Sequence, residues 1–141
     1  MKTIYLAGSI NGLNYEQATE WRKTLNKELT LKGFNVLDPM RGKDDLADKR
    51  IINDGKTIYQ PNHILRRDLW DIKHSDIIVA NLGNLGTLPM IGTLMELGTC
   101  LIEHKLVCLF NVPKKFKAHP FFNNFIICET IQDVIDYPFF E

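Results

Sequence analysis

The chain predicts an α/β fold: a central parallel sheet of about five strands with helices on both faces, forming three layers. Two observations carry this. Strand-like and helix-like segments alternate along the sequence. The strand-like ones, "KTIYLAG", "DIIVANL" and "LVCLFNV", are near-continuous apolar runs rather than alternations of apolar and polar residues. Strands covered on both faces read that way, and parallel neighbours need crossover connections, usually helical. The 141 residues, 45% of them hydrophobic, suit one domain spanning 1–141.

The elements follow in order. "KTIYLAG" reads as a buried first strand ending at Gly8. "NYEQATEWRKTLNKELTLKG" has helical spacing, with Ala18, Trp21, Leu25 and Leu29 on one face and Gly33 as its stop. "FNVL" is a second strand. From "DPMRGKDD" to "YQPN" the chain turns polar for roughly two dozen residues, a length at which loops are usually functional or disordered. "NHILRRDLWDIKHS" is a helix capped by Asn62, with Ile64, Leu65, Leu69 and Ile72 as its apolar stripe. "DIIVANL" is a strand, "GTLMELGTCLIEHK" a helix and "LVCLFNV" a strand. "NFIICE" is a last short strand, and "TIQDVIDY" a closing helix capped by Thr130.

Composition excludes several classes. Seventeen basic and seventeen acidic residues leave no formal net charge, so a polymeric nucleic acid is not the expected partner. No apolar run approaches the ~18 residues of a membrane span. The apolar run of the N-terminus is at the short limit for a signal peptide and contains Gly8, so it reads better as a strand. Cys100, Cys108 and Cys128 form no CxxC pair and sit in apolar surroundings, as expected of buried free thiols in a reducing cytoplasm. His63, His74, His104 and His119 lack metal-pair spacing, so no zinc site is expected.

Ligands of parallel α/β sheets bind beyond the carboxyl ends of the strands. The segments placed there are "GSING", "DPMRGKDD" and "GNLGTLPMIGT". Next to the last stands Glu96, an isolated acid in the apolar stretch "MIGTLMELGTC". "TLME" fits a capping box, with Thr93 as N-cap and Glu96 in the first turn, where the helix dipole favours a carboxylate. Leu94, Leu97 and Leu101 would then form the core face, and Glu96 would point away from it. The alternative is a reactive acid at a ligand site. Asp68 falls inside the apolar stripe of its helix, while Asp71 lies nearer the edge. A buried acid there needs a pair, from Arg41, Arg66 or Arg67, or else lines a cavity, where burial suits it to donate a proton. Tyr5 is either core packing or a phenol at the floor of the site, bonded to a carboxylate. The turn Gly8–Gly12 brings backbone N–H groups near an oxygen-rich ligand, or is an ordinary turn. Arg41 and Lys43 belong to a solvated loop or meet an anionic group.

Taken together, "YLAGSI", "RRDLWDIKHSDIIVANL" and "GTLMELG" resemble the nucleoside 2-deoxyribosyltransferase family and the related 2′-deoxynucleoside 5′-phosphate N-hydrolases. The resemblance runs from "IYLAGSINGL" to "LVCLFNV". It implies a flavodoxin-like three-layer fold that binds nucleosides or nucleotides and cleaves the N-glycosidic bond. By position, Glu96 matches the nucleophile of the family's "ELG" motif and Tyr5 the tyrosine that orients it. Asp68 matches the acid that helps the leaving base or the sugar. Gly8 and Ser9 match the turn near the sugar's 5′ end, and Gly92, with Thr93 beside it, lies in the loop before the nucleophile, a placement that depends on where that helix starts. Two positions depart from the nucleotide hydrolases: Asn11 and Met90 stand where those have Arg and Ser. Both departures favour a nucleoside, unless Arg41 or Lys43 supplies the charge.

The chemistry so implied is retaining glycosyl transfer through a covalent intermediate on Glu96, with Asp68 assisting the departing base. It calls for no metal or organic cofactor. The expected partners are a nucleoside or nucleotide and a nucleobase, with no membrane. A hydrolase is the neighbouring alternative, and a non-catalytic nucleotide-binding module the distant one. A homo-oligomer is expected as well. Trp70 lies opposite the apolar stripe of its helix, and the ending "YPFFE" places two aromatics where a monomer would tend to expose them.

Overall fold

The structure, a computed structural model, describes residues 1–10, 12–41 and 61–140. Strand β1 is Thr3–Gly8, helix α1 Tyr15–Leu31, β2 Asn35–Leu37, α2 Pro61–Lys73 and β3 Ile77–Asn81. Helix α3 is Ile91–Ile102, β4 Leu106–Phe110, β5 Ile126–Ile127 and α4 Ile131–Ile135. The five strands form one parallel sheet in the order β2-β1-β3-β4-β5, which is the flavodoxin-like arrangement. Because β2 lies on one side of β1 and β3 on the other, the chain reverses direction across the sheet at β1. Register pairs Tyr5 with Ile78 and Gly8 with Asn81, so Gly8 and Asn81 end together at that reversal.

Strand alternation sorts the core into two layers. Tyr5, Ala7, Ile78, Ala80, Val107 and Leu109 face Ile72 of α2 and Leu97 and Cys100 of α3. Ile4, Leu6, Ile77, Val79, Cys108 and Phe110 face Leu25 and Leu29 of α1 and Val134 and Ile135 of α4. The three cysteines are free and buried, as the composition suggested. Among the described residues no helix is long and apolar enough to cross a membrane.

Local signals set several boundaries as read from sequence. Gly33 follows α1 at φ +95°, and the structure adds what the sequence reading did not name, a capping box of Asn14 with Gln17 at the start of α1. Thr130 caps α4 in a box with Asp133. Other readings are corrected. Helix α2 starts at Pro61, so Asn62 lies inside it rather than capping it; proline is favoured at a first helical position because its missing N–H costs nothing there. The closing strand is only Ile126–Ile127, because Pro120–Asn124 wind into a 3-10 turn capped by the His119 ring. Of the tail aromatics, Phe140 is not exposed: it is fully buried edge-on against Phe34, 5.5 Å between ring centres.

Helix α3 departs furthest from its reading. It begins at Ile91, two residues before Thr93, after Met90 adopts a left-handed conformation at φ 49°. Thr93 is therefore inside the helix and caps nothing, and no acid lies in the first turn. The buried face of α3 is Thr93, Leu97 and Cys100. Glu96 borders that face, half-buried, instead of pointing away from it.

Candidate functional site

Tyr5 and Glu96 meet at the centre. The middle of β1 directs the Tyr5 ring into the layer shared with α2 and α3, where it is fully buried. Its hydroxyl donates to Glu96 Oε1 at 3.2 Å, joining residues 91 apart in sequence. Burial raises the Tyr5 pKa well above its ordinary value, and the negative charges of Glu96 and Asp68 raise it further. The phenol is thus a fixed donor, never an anion, around neutral pH. Cys100, one turn beyond Glu96, is pushed up to about 12 by burial and then by the Glu96 charge, so it stays a protonated thiol.

Helix α2 supplies two acids. Asp68 is buried, with Arg67 Nε 3.7 Å from its Oδ1. Its charge, like that of Glu96, acts to raise the Tyr5 pKa. Asp71 is not an edge residue: it is fully buried, because Arg41 reaches across from the segment after β2 and pairs with it at 2.6 Å. Arg41 also donates to the Asp38 carbonyl at 3.0 Å. Arg67 donates to the Pro39 carbonyl at 2.6 Å and the Arg41 carbonyl at 2.8 Å. The two arginines thereby tie residues 38–41 to α2.

The end of β1 forms the opposite wall. Gly8 has no room for a side chain, since a Cβ would stand 2.7 Å from the Trp21 ring. Ser9 is buried, and its hydroxyl has no hydrogen-bond partner among the described residues. Asn81, at the end of β3, accepts from the Gly83 backbone at 3.0 Å and so shapes the turn beside it. Gly92 is exposed in the first turn of α3, not in the loop before it, and a side chain there would meet nothing. Asn11 and Lys43 lie outside the described residues.

The arrangement therefore unites a buried donor and two carboxylates near the carboxyl ends of the strands. Among the described residues no three His, Cys, Asp or Glu side chains gather in a way that could hold a metal ion. Sequence reasoning missed Arg22, Asp38 and Asn81. Arg22 had a usable signal: it stands four residues after Ala18 and three before Leu25, inside the buried stripe of α1.

The sequence pattern described as Nucleoside 2-deoxyribosyltransferase matches residues 4–124. No curated protein matches the chain. Among solved structures, a 2-deoxyribosyltransferase from the psychrotolerant bacterium Bacillus psychrosaccharolyticus is similar, with 25% identity and a TM-score of 0.70 over 97% of this chain and 93% of that one. A Clostridium botulinum CMP N-glycosidase, BcmB, shares the fold at 20% identity and a TM-score of 0.62, over 95% and 94% of the two chains. A 2-deoxyribosyltransferase from Leishmania mexicana shares it at 20% identity and a TM-score of 0.56, over 78% and 64%.

Proposed function

Because the chain belongs to the nucleoside 2-deoxyribosyltransferase family, we propose that it cleaves the N-glycosidic bond of 2-deoxynucleosides and passes the sugar to another nucleobase. The observation that carries this reading is the Tyr5–Glu96 hydrogen bond at 3.2 Å. A Glu96 oxygen bonds to C1′ as the C1′–N bond breaks through an oxocarbenium-like transition state. The bonding pair leaves with the base, which takes a proton from Asp68. A nitrogen of the incoming base then attacks C1′ and gives its proton back to Asp68 as the C1′–O bond to Glu96 breaks. Tyr5 holds one Glu96 oxygen so that the other is presented to the sugar. Gly8, Ser9, Gly92 and Thr93 frame the sugar.

A nucleoside fits better than its 5′-monophosphate. Arg41, the described cation that the resemblance offered for a phosphate, is engaged by Asp71, and Met90 brings no hydroxyl. We therefore expect kcat/KM to favour the nucleoside over the matching monophosphate. A clear preference for the monophosphate would mean that groups outside this set hold the phosphate. The second reading, hydrolysis, is favoured by the partial exposure of Glu96, which leaves water a route to C1′.

The deciding experiment incubates the protein with deoxynucleosides, with and without an acceptor base, and separates the products by chromatography. Base exchange supports transfer, and free sugar without exchange supports hydrolysis. No turnover of any nucleoside or nucleotide would leave a binding module.

A further inference from the structure

Leu88 has no part in the reaction above, yet it joins two parts of the core. It sits in the loop between β3 and α3. Half-buried, it packs both on the cluster that holds Tyr5 and on a smaller cluster of Leu13, Ala18 and Met40 at the start of α1. Its loop has a fixed shape. The Asn84 carbonyl accepts from the Leu88 backbone at 2.9 Å and from the Thr87 backbone at 3.0 Å, and Gly86 turns the chain at φ +91°. The Leu88 side chain ends on Gly12, in the turn after β1, where a Cβ would stand 2.9 Å from one of its methyls.

In parallel α/β folds the turn from the first strand into its helix is a common seat for a ligand's phosphate, because free N–H groups and the helix dipole meet there. Here that seat is unsuited to an anion. Asn14 takes the Gln17 N–H at 2.8 Å, and the Gln17 side chain takes the Asn14 N–H at 3.1 Å, so the start of α1 spends these donors on itself. Glu16 adds a negative charge to the first turn. The cation beneath, Arg22, is fully buried; its terminal nitrogens donate to the Ala18 and Gly8 carbonyls at 2.5 and 3.0 Å, and its Nε lies 3.7 Å from Asp38. Against this turn Leu88 lays an apolar side chain, where a phosphate would lose water without gaining a partner. We propose that Leu88 sets specificity at the substrate's 5′ end: it excludes a charged group there and admits nucleosides whose 5′ carbon is neutral, with a hydroxyl or without one. The kinetic form of this inference rests on the reaction proposed above; the packing of Leu88 does not.

The test gives the full chain a 2′-deoxynucleoside, its 5′-deoxy analogue and its 5′-monophosphate, reading kcat/KM from base release and Kd from calorimetry. The wild type should use the 5′-deoxy analogue within about tenfold of the nucleoside, and the monophosphate about a hundredfold less well. Leu88→Ala should narrow the gap between nucleoside and monophosphate about tenfold, and Leu88→Arg, which brings a cation to the turn, should close it. Loosened packing alone would weaken both substrates together and leave their ratio unmoved. An unmoved ratio in folded Leu88→Ala, or a wild type that prefers the monophosphate, therefore overturns the proposal. If Leu88→Ala does not fold, Leu88→Gln, similar in length but polar, decides by the same ratio. Turnover with an unmoved ratio sinks this inference and keeps the reaction. No turnover, with a Kd ratio that still shifts about tenfold in Leu88→Ala, keeps this inference and sinks the reaction.

Discussion

Glu96 and Asp68 are both acids on helices, and their surroundings give them different work. Glu96 keeps partial exposure and a neutral hydrogen-bond donor, while Asp68 is buried beside a guanidinium. Glu96→Gln preserves shape and the bond from Tyr5 but removes the nucleophile, so turnover should fall about 10³-fold or more with the fold intact. Asp68→Asn should cost about 10²-fold in kcat if proton transfer is lost. A folded Glu96→Gln of near-normal activity would end the nucleophile assignment. A fully active but less stable Asp68→Asn would leave Asp68 a structural role, its ion pair with Arg67 included. Tyr5 adds a pH dependence. Its folded pKa is raised above the unfolded value of about 10, so above that pH the folded state binds more protons than the unfolded state. Its contribution is complete below pH ~10 and is lost as pH rises toward the folded pKa. Urea unfolding should therefore show wild-type stability declining more steeply than Tyr5→Phe between about pH 9 and 11. Parallel declines would contradict the burial argument.

Among elements, the segment after β2 and helix α2 act as one unit. Asp71 receives Arg41, and Arg67 holds two carbonyls of that segment. The two halves of the ion pair are unequal, because Asp71 is buried while Arg41 keeps more than a third of its side chain exposed. Removing the arginine strands a charge in the core; removing the carboxylate's charge lets the arginine return to water. Arg41→Met should thus destabilise by about 2 kcal/mol, and Asp71→Asn by only about 1 kcal/mol. Denaturant titration of both variants checks the order, and the reverse order would mean that Asp71 is better solvated than its burial indicates. Helix α3 illustrates the same scale. Its start at Ile91 puts Glu96 in the second turn, beyond the strongest reach of the helix dipole. The Tyr5 hydroxyl donates to that carboxylate, which does not sit at the helix end.

For the whole molecule, several large apolar side chains of α2 and α3 stand exposed. Trp70 is 58% exposed and stacks on His74 at 3.9 Å, while Ile91 and Ile102 on α3 are 76% and 79% exposed. The tail aromatic Phe140 no longer contributes to that argument, since it folds back onto Phe34. An apolar surface of this kind favours association, and a symmetric assembly would cover it twice over. Light scattering at micromolar concentration should give at least twice the 16.3 kDa chain mass, and Trp70→Glu with Ile102→Glu should lower it. A monodisperse and fully active monomer would show that this face needs no cover.

The sequence by itself determined the alternation of elements, the parallel sheet, the stop of α1 at Gly33, the cap of α4, and the identity of Tyr5, Glu96 and Asp68 as the acids and phenol worth following. These are local properties: apolar runs, helical period and short-range capping chemistry act within a few residues of one another. It misplaced what depends on partners far along the chain. Asp71 looked like an edge residue because its partner, Arg41, lies 30 positions earlier. Glu96 looked like a cap because "TLME" fits one, whereas Met90 starts the helix early and turns Glu96 toward β1. Arg22 passed unnoticed because a charge in an apolar stripe gains meaning only from the ends of β1 and β2, which the parallel sheet brings to it. Burial of a charge is decided by what the fold packs around it, and only the tertiary structure supplies that.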